Sequence, residues 1–199
     1  MKKLVIKTVI IVLAIIVSAL AITFGVLCST SPKAIAKGFE SLGNYSASKY
    51  FYEMQYDKTG DIDDLLVLID NAYGKNEKSD LQNYLSELIS HKDFNRFCNA
   101  ENENLAQNQM KTEEYYSGFY ATVLFDNGYF DNCLSFSRSY VNTMGYTEFN
   151  PFRELINSKL SSMTAEQKNQ IKTVLNGYLS SISDATQISF INYDINKLG

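Results

Sequence analysis

From Thr8 to Ser31 the chain is predominantly apolar, interrupted only by residues such as Ser18, Thr23 and Gly25, and the pattern then changes character for the rest of the chain. Those twenty-four residues carry no charge. Their centre, Val9 to Leu27, would span ~28 Å as an α-helix at ~1.5 Å per residue, close to the ~30 Å hydrocarbon layer of a bilayer. Beyond Ser31 the apolar residues recur at intervals of three and four, the spacing of one buried helix face. Ser31-Pro32 is a cap followed by a proline fit for the first helical turn. It opens a helix carrying Ile35, Phe39 and Leu42, which Gly43 ends. A second helix follows, with Ala47, Tyr50, Phe51 and Met54 as its stripe, and Gly60 closes it. Asp61 caps a third, whose run Leu65 to Ile69 is apolar nearly all round and so expects neighbours on several sides.

The turn 74–78 leads, through Ser79 or Asp80 as cap, to Leu81, Tyr84, Leu85, Leu88 and Ile89. A short helix within 91–99 uses Phe94 and Phe97, and the polar stretch 99–104 is expected as an exposed loop. Thr112 opens a helix with Tyr116, Phe119, Tyr120, Val123 and Leu124 on one side. Asn127-Gly128 turns it into a partner from Phe130 to about Thr143. Asn150-Pro151 repeats the cap-plus-proline signal ahead of Phe152, Leu155, Ile156 and Leu160. Thr164 and Gln167 form a capping box before Ile171, Val174, Leu175, Tyr178, Leu179 and Ile182. The tail 184–199 suits a helix through Ile188, Ile191, Ile195 and Leu198, while Ile188, Phe190 and Asn192 begin the alternation of a strand. The pattern therefore predicts an all-α chain: one transmembrane helix within residues 1–31, then antiparallel helical hairpins over residues 32–199.

Two of these hairpins share a further pattern. Ala36, Phe39, Gly43 and Tyr45 in the first, and Ala121, Leu124, Gly128 and Phe130 in the second, hold small, large, glycine and aromatic residues in corresponding slots. An aromatic Tyr52 follows in the first, and in the second Cys133 takes the place of the usual small residue of the second helix. This resembles the Ala-x2-Leu-x3-Gly-x-Tyr core of the tetratricopeptide family over about half of the domain. The resemblance implies a stack of helical hairpins offering a surface for peptides or partner proteins. An irregular helical bundle is the other arrangement open to the same pattern.

Composition narrows the function. Without Lys2, Lys3 and Lys7 the domain keeps 15 basic against 22 acidic side chains, a formal charge of −7. Such a surface argues against nucleic acid as a partner, because that binding depends on neutralising phosphates. Lys2, Lys3 and Lys7 precede the apolar run, and only Lys33 and Lys37 follow closely. The excess places the N-terminus in the cytoplasm and the domain outside it, in a single-pass protein held by the bilayer through residues 8–31. Cleavage after a secretory signal, near Ala34-Ile35-Ala36, is the alternative. Cys28 follows Leu27, unlike the small residue a lipoprotein signal places there.

Catalytic and metal chemistry find little to use. His91 is the only histidine, which leaves a zinc ligand set incomplete. Asp61, Asp63 and Asp64 sit at a helix start, where acids complement the macrodipole. No catalytic, metal or cofactor residue is expected, and no cofactor. Cys98 and Cys133 are candidates for a bridge. The densest unusual feature is aromatic: ten Tyr or Phe between Tyr115 and Tyr146. Of these, Tyr115, Phe125, Tyr129 and Tyr146 lie off the buried stripe and are the expected partner contacts, since tyrosine packs its ring while its hydroxyl stays wet. The expectation is a membrane-anchored protein-binding or scaffold module. A spacer subunit of a membrane complex, and a hydrolase with an unrecognised carboxylate pair, are the alternatives.

Overall fold

The computed structural model describes residues 2–106 and 109–199, with side chains from residue 11 onward. Its regular structure among these residues is eleven α-helices and no strand. Packing divides the chain into two compact units, Met1–Asn71 and Ala72–Gly199.

In the first unit α1 (Lys2–Thr30) is a single helix containing Ile11–Thr30, whose mean hydropathy is 2.8 and which is unburied along its length. It is long and apolar enough to cross a bilayer. The next helix, α2 (Pro32–Ser41), folds back on α3 (Tyr45–Thr59) through Gly43, whose φ of +72° only glycine adopts without strain. Asn44 caps α3 by accepting the Ala47 N–H at 3.1 Å. The buried face of α3 is Ser48, Phe51 and Tyr52. The stripe expected from the sequence is thus rotated, and Tyr50 is exposed. The cause is polar. The Tyr52 hydroxyl donates to Glu40 at 2.6 Å, which turns that ring inward, while Phe51 stacks on Phe39 with centroids 5.7 Å apart.

The start of α4 (Ile62–Gly74) belongs to the same unit. Asp61 caps it as expected, accepting the Asp63 N–H at 3.1 Å. Asp64 does more than complement a dipole. It pairs with Lys33 at 2.6 Å and accepts from Gln55 at 3.2 Å and Thr59 at 2.9 Å, tying α2 and α3 to α4. Burial pushes its carboxyl upward, but the hydrogen bonds from Lys33, Thr59 and Gln55 together outweigh that and hold it below the usual carboxylate range.

The second unit holds α5 (Lys78–Ser90), α6 (Phe94–Asn102), α7 (Thr112–Asp126), α8 (Phe130–Met144), α9 (Pro151–Lys159), α10 (Ala165–Leu179) and α11 (Ala185–Lys197). Most of these helices pack on the next, and α5 also packs on α7, α7 on α9, α8 on α10 and α9 on α11. One row is α5, α7, α9, α11, and α8 and α10 touch in a second row. Gly128, at φ +82°, makes the α7–α8 turn. The capping box at Thr164 forms, with Gln167 N–H on the Thr164 hydroxyl at 3.2 Å and the Gln167 side chain accepting the Thr164 N–H at 2.9 Å.

Two expectations are corrected here. The loop expected at 99–104 begins later, because α6 continues to Asn102. That side chain donates to Glu113 at 2.7 Å and accepts from the Thr112 N–H at 2.8 Å, so it staples α6 to the start of α7. The stripe expected on α7 is also incomplete. Its buried residues include Ser117, Gly118, Ala121 and Thr122, while Tyr116, Phe119 and Tyr120 are half-buried. Contacts with α5, α6, α8 and α9 surround this helix, and small residues are what allow so many axes to come close.

Candidate functional site

Because α7 has neighbours on both sides within its row, the surface of that row is where its exposed aromatic residues collect. Tyr73, at the end of α4, meets Phe119 edge-on with centroids 5.6 Å apart. Phe119 in turn lies 6.1 Å from Tyr115, one turn back along α7. Tyr73 and Tyr115 are 65% and 53% exposed, so this is a solvent-facing line of rings rather than core. An exposed cluster of this kind is the usual mark of a contact surface.

Two cavities open along the line. One, of about 290 Å³, lies between α5, α7 and α9, with Tyr73, Leu81, Phe119 and Val123 among its walls. At its end Lys159 on α9 pairs with Asp126 on α7 at 2.6 Å. Asn127 donates to the Lys78 carbonyl at 3.1 Å and to Gln82 at 2.8 Å, which ties the end of α7 to the start of α5. The second cavity, of about 190 Å³, lies between α7 and α9 and is bordered by Tyr115, Phe119, Phe149, Glu114 and Glu154. A third and larger space of about 540 Å³ is bordered by α6, α7 and α8, with Phe94, Cys98, Phe136, Tyr140 and Met144 on its walls.

The four aromatic residues expected as contacts do not form one surface. Tyr115 joins the line just described. Tyr129 is equally exposed, but it sits past the far end of α7, beside Ser79 and Gln82 of α5. Phe125 is half-buried against the core, its ring 6.2 Å from Phe130. Tyr146 has no exposed surface at all, which corrects its assignment as a partner contact. Its hydroxyl donates to Asp194 at 2.7 Å, and its N–H donates to Gln187 at 3.1 Å. Burial, then the Asp194 charge, drive the phenol pKa well above normal.

Asp194 is the other half of this buried polar knot. Arg153 approaches it at 3.1 Å and lies over the Phe190 ring, 4.5 Å from the centroid. Burial pushes the Asp194 carboxyl above its usual range, with Tyr146 and Arg153 pulling it part of the way back. The knot joins α9, α11 and the segment before α9, and it lies in the core rather than on any of the cavities described.

Cys98 and Cys133 are both buried, free thiols, so the bridge expected between them is not formed. Cys98 borders the α6–α8 space, whereas Cys133 belongs to the core between α7 and α8. Burial raises each thiol to about 12. A thiol raised that far keeps its proton at neutral pH. His91 ends α5, and its Nδ1 accepts the Asp93 N–H at 3.2 Å, a helix-end role. Among the described residues no group of three or more His, Cys, Asp or Glu is placed to hold a metal.

Members of the site that were not singled out from sequence include Tyr73, Gly118, Phe149 and Glu154. Only Gly118 left a trace there. A glycine inside a strong helical pattern costs about 1 kcal/mol against alanine and so signals a packing reason. Comparison with family models, with curated proteins and with solved structures found no match for this chain.

Proposed function

We propose that the protein is a single-pass membrane-anchored binding module. Its helical domain lies outside the cytoplasm and grips an extended peptide, or the extended segment of a partner protein, along the α5–α7–α9 row. The anchor reading is supported by Ile11–Thr30, apolar and unburied over its whole length, and by Lys2, Lys3 and Lys7 ahead of it, the side that faces the cytoplasm under the positive-inside rule. The binding reading rests on one observation above the rest. Three rings, Tyr73, Phe119 and Tyr115, form an exposed line across two cavities on neighbouring helices. Aromatic anchors beside pockets contribute most of the energy in peptide and protein interfaces. The row also resembles, in its arrangement of every second helix, the stacked hairpins implied by the tetratricopeptide-like residues, whose surfaces hold peptides.

The test is selection from a random twelve-residue peptide library on phage, against the full-length protein in phosphatidylcholine nanodiscs. Peptides should enrich over empty nanodiscs, and Tyr73→Ala with Tyr115→Ala should weaken the selected peptides at least tenfold. Enrichment that ignores both substitutions, or no enrichment at all, removes the row as the binding surface.

A further inference from the structure

The cavity between α7 and α9 differs chemically from its neighbour. Tyr115, Phe119 and Phe149 give it aromatic walls, its charged groups are Glu114 and Glu154, and among the described residues no Lys or Arg borders it. The adjoining cavity, by contrast, is bordered by Lys78 and Lys159 as well as Asp126. Gly118 sets the geometry. A Cβ there would stand 3.0 Å from Glu154 Cγ and 3.1 Å from its Cβ, so the missing side chain is what lets the Glu154 stem lie against α7. Glu114, one turn back on α7, is nearly buried and fixed in place by the Lys111 N–H at 2.9 Å. Among the described residues the Glu154 carboxylate has no hydrogen bond or ion pair of its own. It is half-exposed at the cavity and available to a ligand.

These groups select for positive charge. Aromatic rings attract ammonium and guanidinium groups, and carboxylates make the stronger, charge-assisted hydrogen bonds to them. The size selects too. About 190 Å³ lies below the ~300–1,000 Å³ of pockets that enclose free small molecules. The domain's charge of −7 would draw a basic segment toward the surface.

We infer that the α7–α9 cavity receives one lysine or arginine side chain of the bound segment, so that the row recognises a basic position within an extended peptide. This rests on the binding reading above and adds the chemistry of its specificity. Peptides selected on the full-length protein in neutral phosphatidylcholine nanodiscs should share a Lys or Arg at one fixed position. Replacing that residue by norleucine should weaken binding about tenfold, and Glu154→Gln in the protein should do the same. The two changes together should cost little more than either alone, since both remove one interaction. Glu154→Asp, which keeps the charge but shortens its reach, should lie between. The thermal midpoint of each variant, unchanged from the parent, separates lost recognition from lost folding. Enriched peptides without a fixed basic position, or with affinity indifferent to Glu154→Gln, overturn the cationic pocket and leave peptide binding by the row standing. Free arginine amide binding as tightly as the peptide overturns the assignment to a side chain. No enrichment at all overturns both readings.

Discussion

Two buried carboxylates, Asp64 and Asp194, respond to their surroundings in opposite directions. Asp64 has three donors, and its pKa is lowered in the folded chain despite its burial. A folded-state pKa below the unfolded ~3.9 means that its contribution is present above about pH 4 and disappears as pH falls through the lowered value. Urea denaturation of Asp64→Asn should therefore show a loss of about 1 kcal/mol at pH 7, modest because Lys33 is partly exposed. That loss should shrink as the pH falls below the ordinary carboxylate range, and a pH-independent loss would contradict the ion pair. Asp194 is fully buried, its pKa is raised, and one oxygen, Oδ1, has no partner. Removing it is nonetheless costly, because Arg153 loses its counter-charge and the Tyr146 hydroxyl its acceptor. Asp194→Ala should destabilise the second unit by about 3–5 kcal/mol in chemical denaturation, the cost of an uncompensated buried charge.

Helix by helix, the fold depends on how closely neighbours approach, and glycines on α7 and α10 allow that to be measured. Gly118→Ala adds a methyl that meets the Glu154 stem at 3.0 Å, close to its backbone attachment where it cannot swing clear. Gly177, inside α10, has nothing within 4 Å of the same methyl. The two substitutions gain the same helix propensity, yet their outcomes should differ in sign. Gly177→Ala should raise stability by about 0.4–1 kcal/mol. Gly118→Ala should lower it by about 1 kcal/mol, the cost of overpacking. Equal thermal midpoints would mean that α7 and α9 are not in the close contact described. The wrapped position of α7 also explains its weak amphipathicity, because a helix with neighbours on four sides has no single wet face.

For the whole molecule, the decisive element is α1. This helix is apolar, unburied and long enough to cross a bilayer, which is the environment the proposed anchor would give its side chains. The proposed anchor predicts that the full-length protein stays with membranes through alkaline carbonate extraction, and that a chain beginning at Pro32 does not. Protease added outside intact cells should digest the helical domain while the N-terminal flank stays protected. Digestion only after lysis would reverse the proposed orientation.

The sequence by itself determined the apolar helix, the all-α class and most helix boundaries. These are local matters: periodicity, caps such as Asn150 and Thr164, and left-handed glycines such as Gly43 and Gly128 act within a few residues of the chain. It did not determine which residues share a surface. Tyr146 and Tyr115 looked alike as off-stripe aromatics, yet Asp194, 48 residues along the chain, draws one into the core, while α7's packing leaves the other exposed. Tyr73, Phe119 and Glu154 come from three different helices, and no interval along the chain relates them. Their meeting depends on how closely the helix axes approach, and Gly118 sets that distance between α7 and α9 through the absence of a side chain.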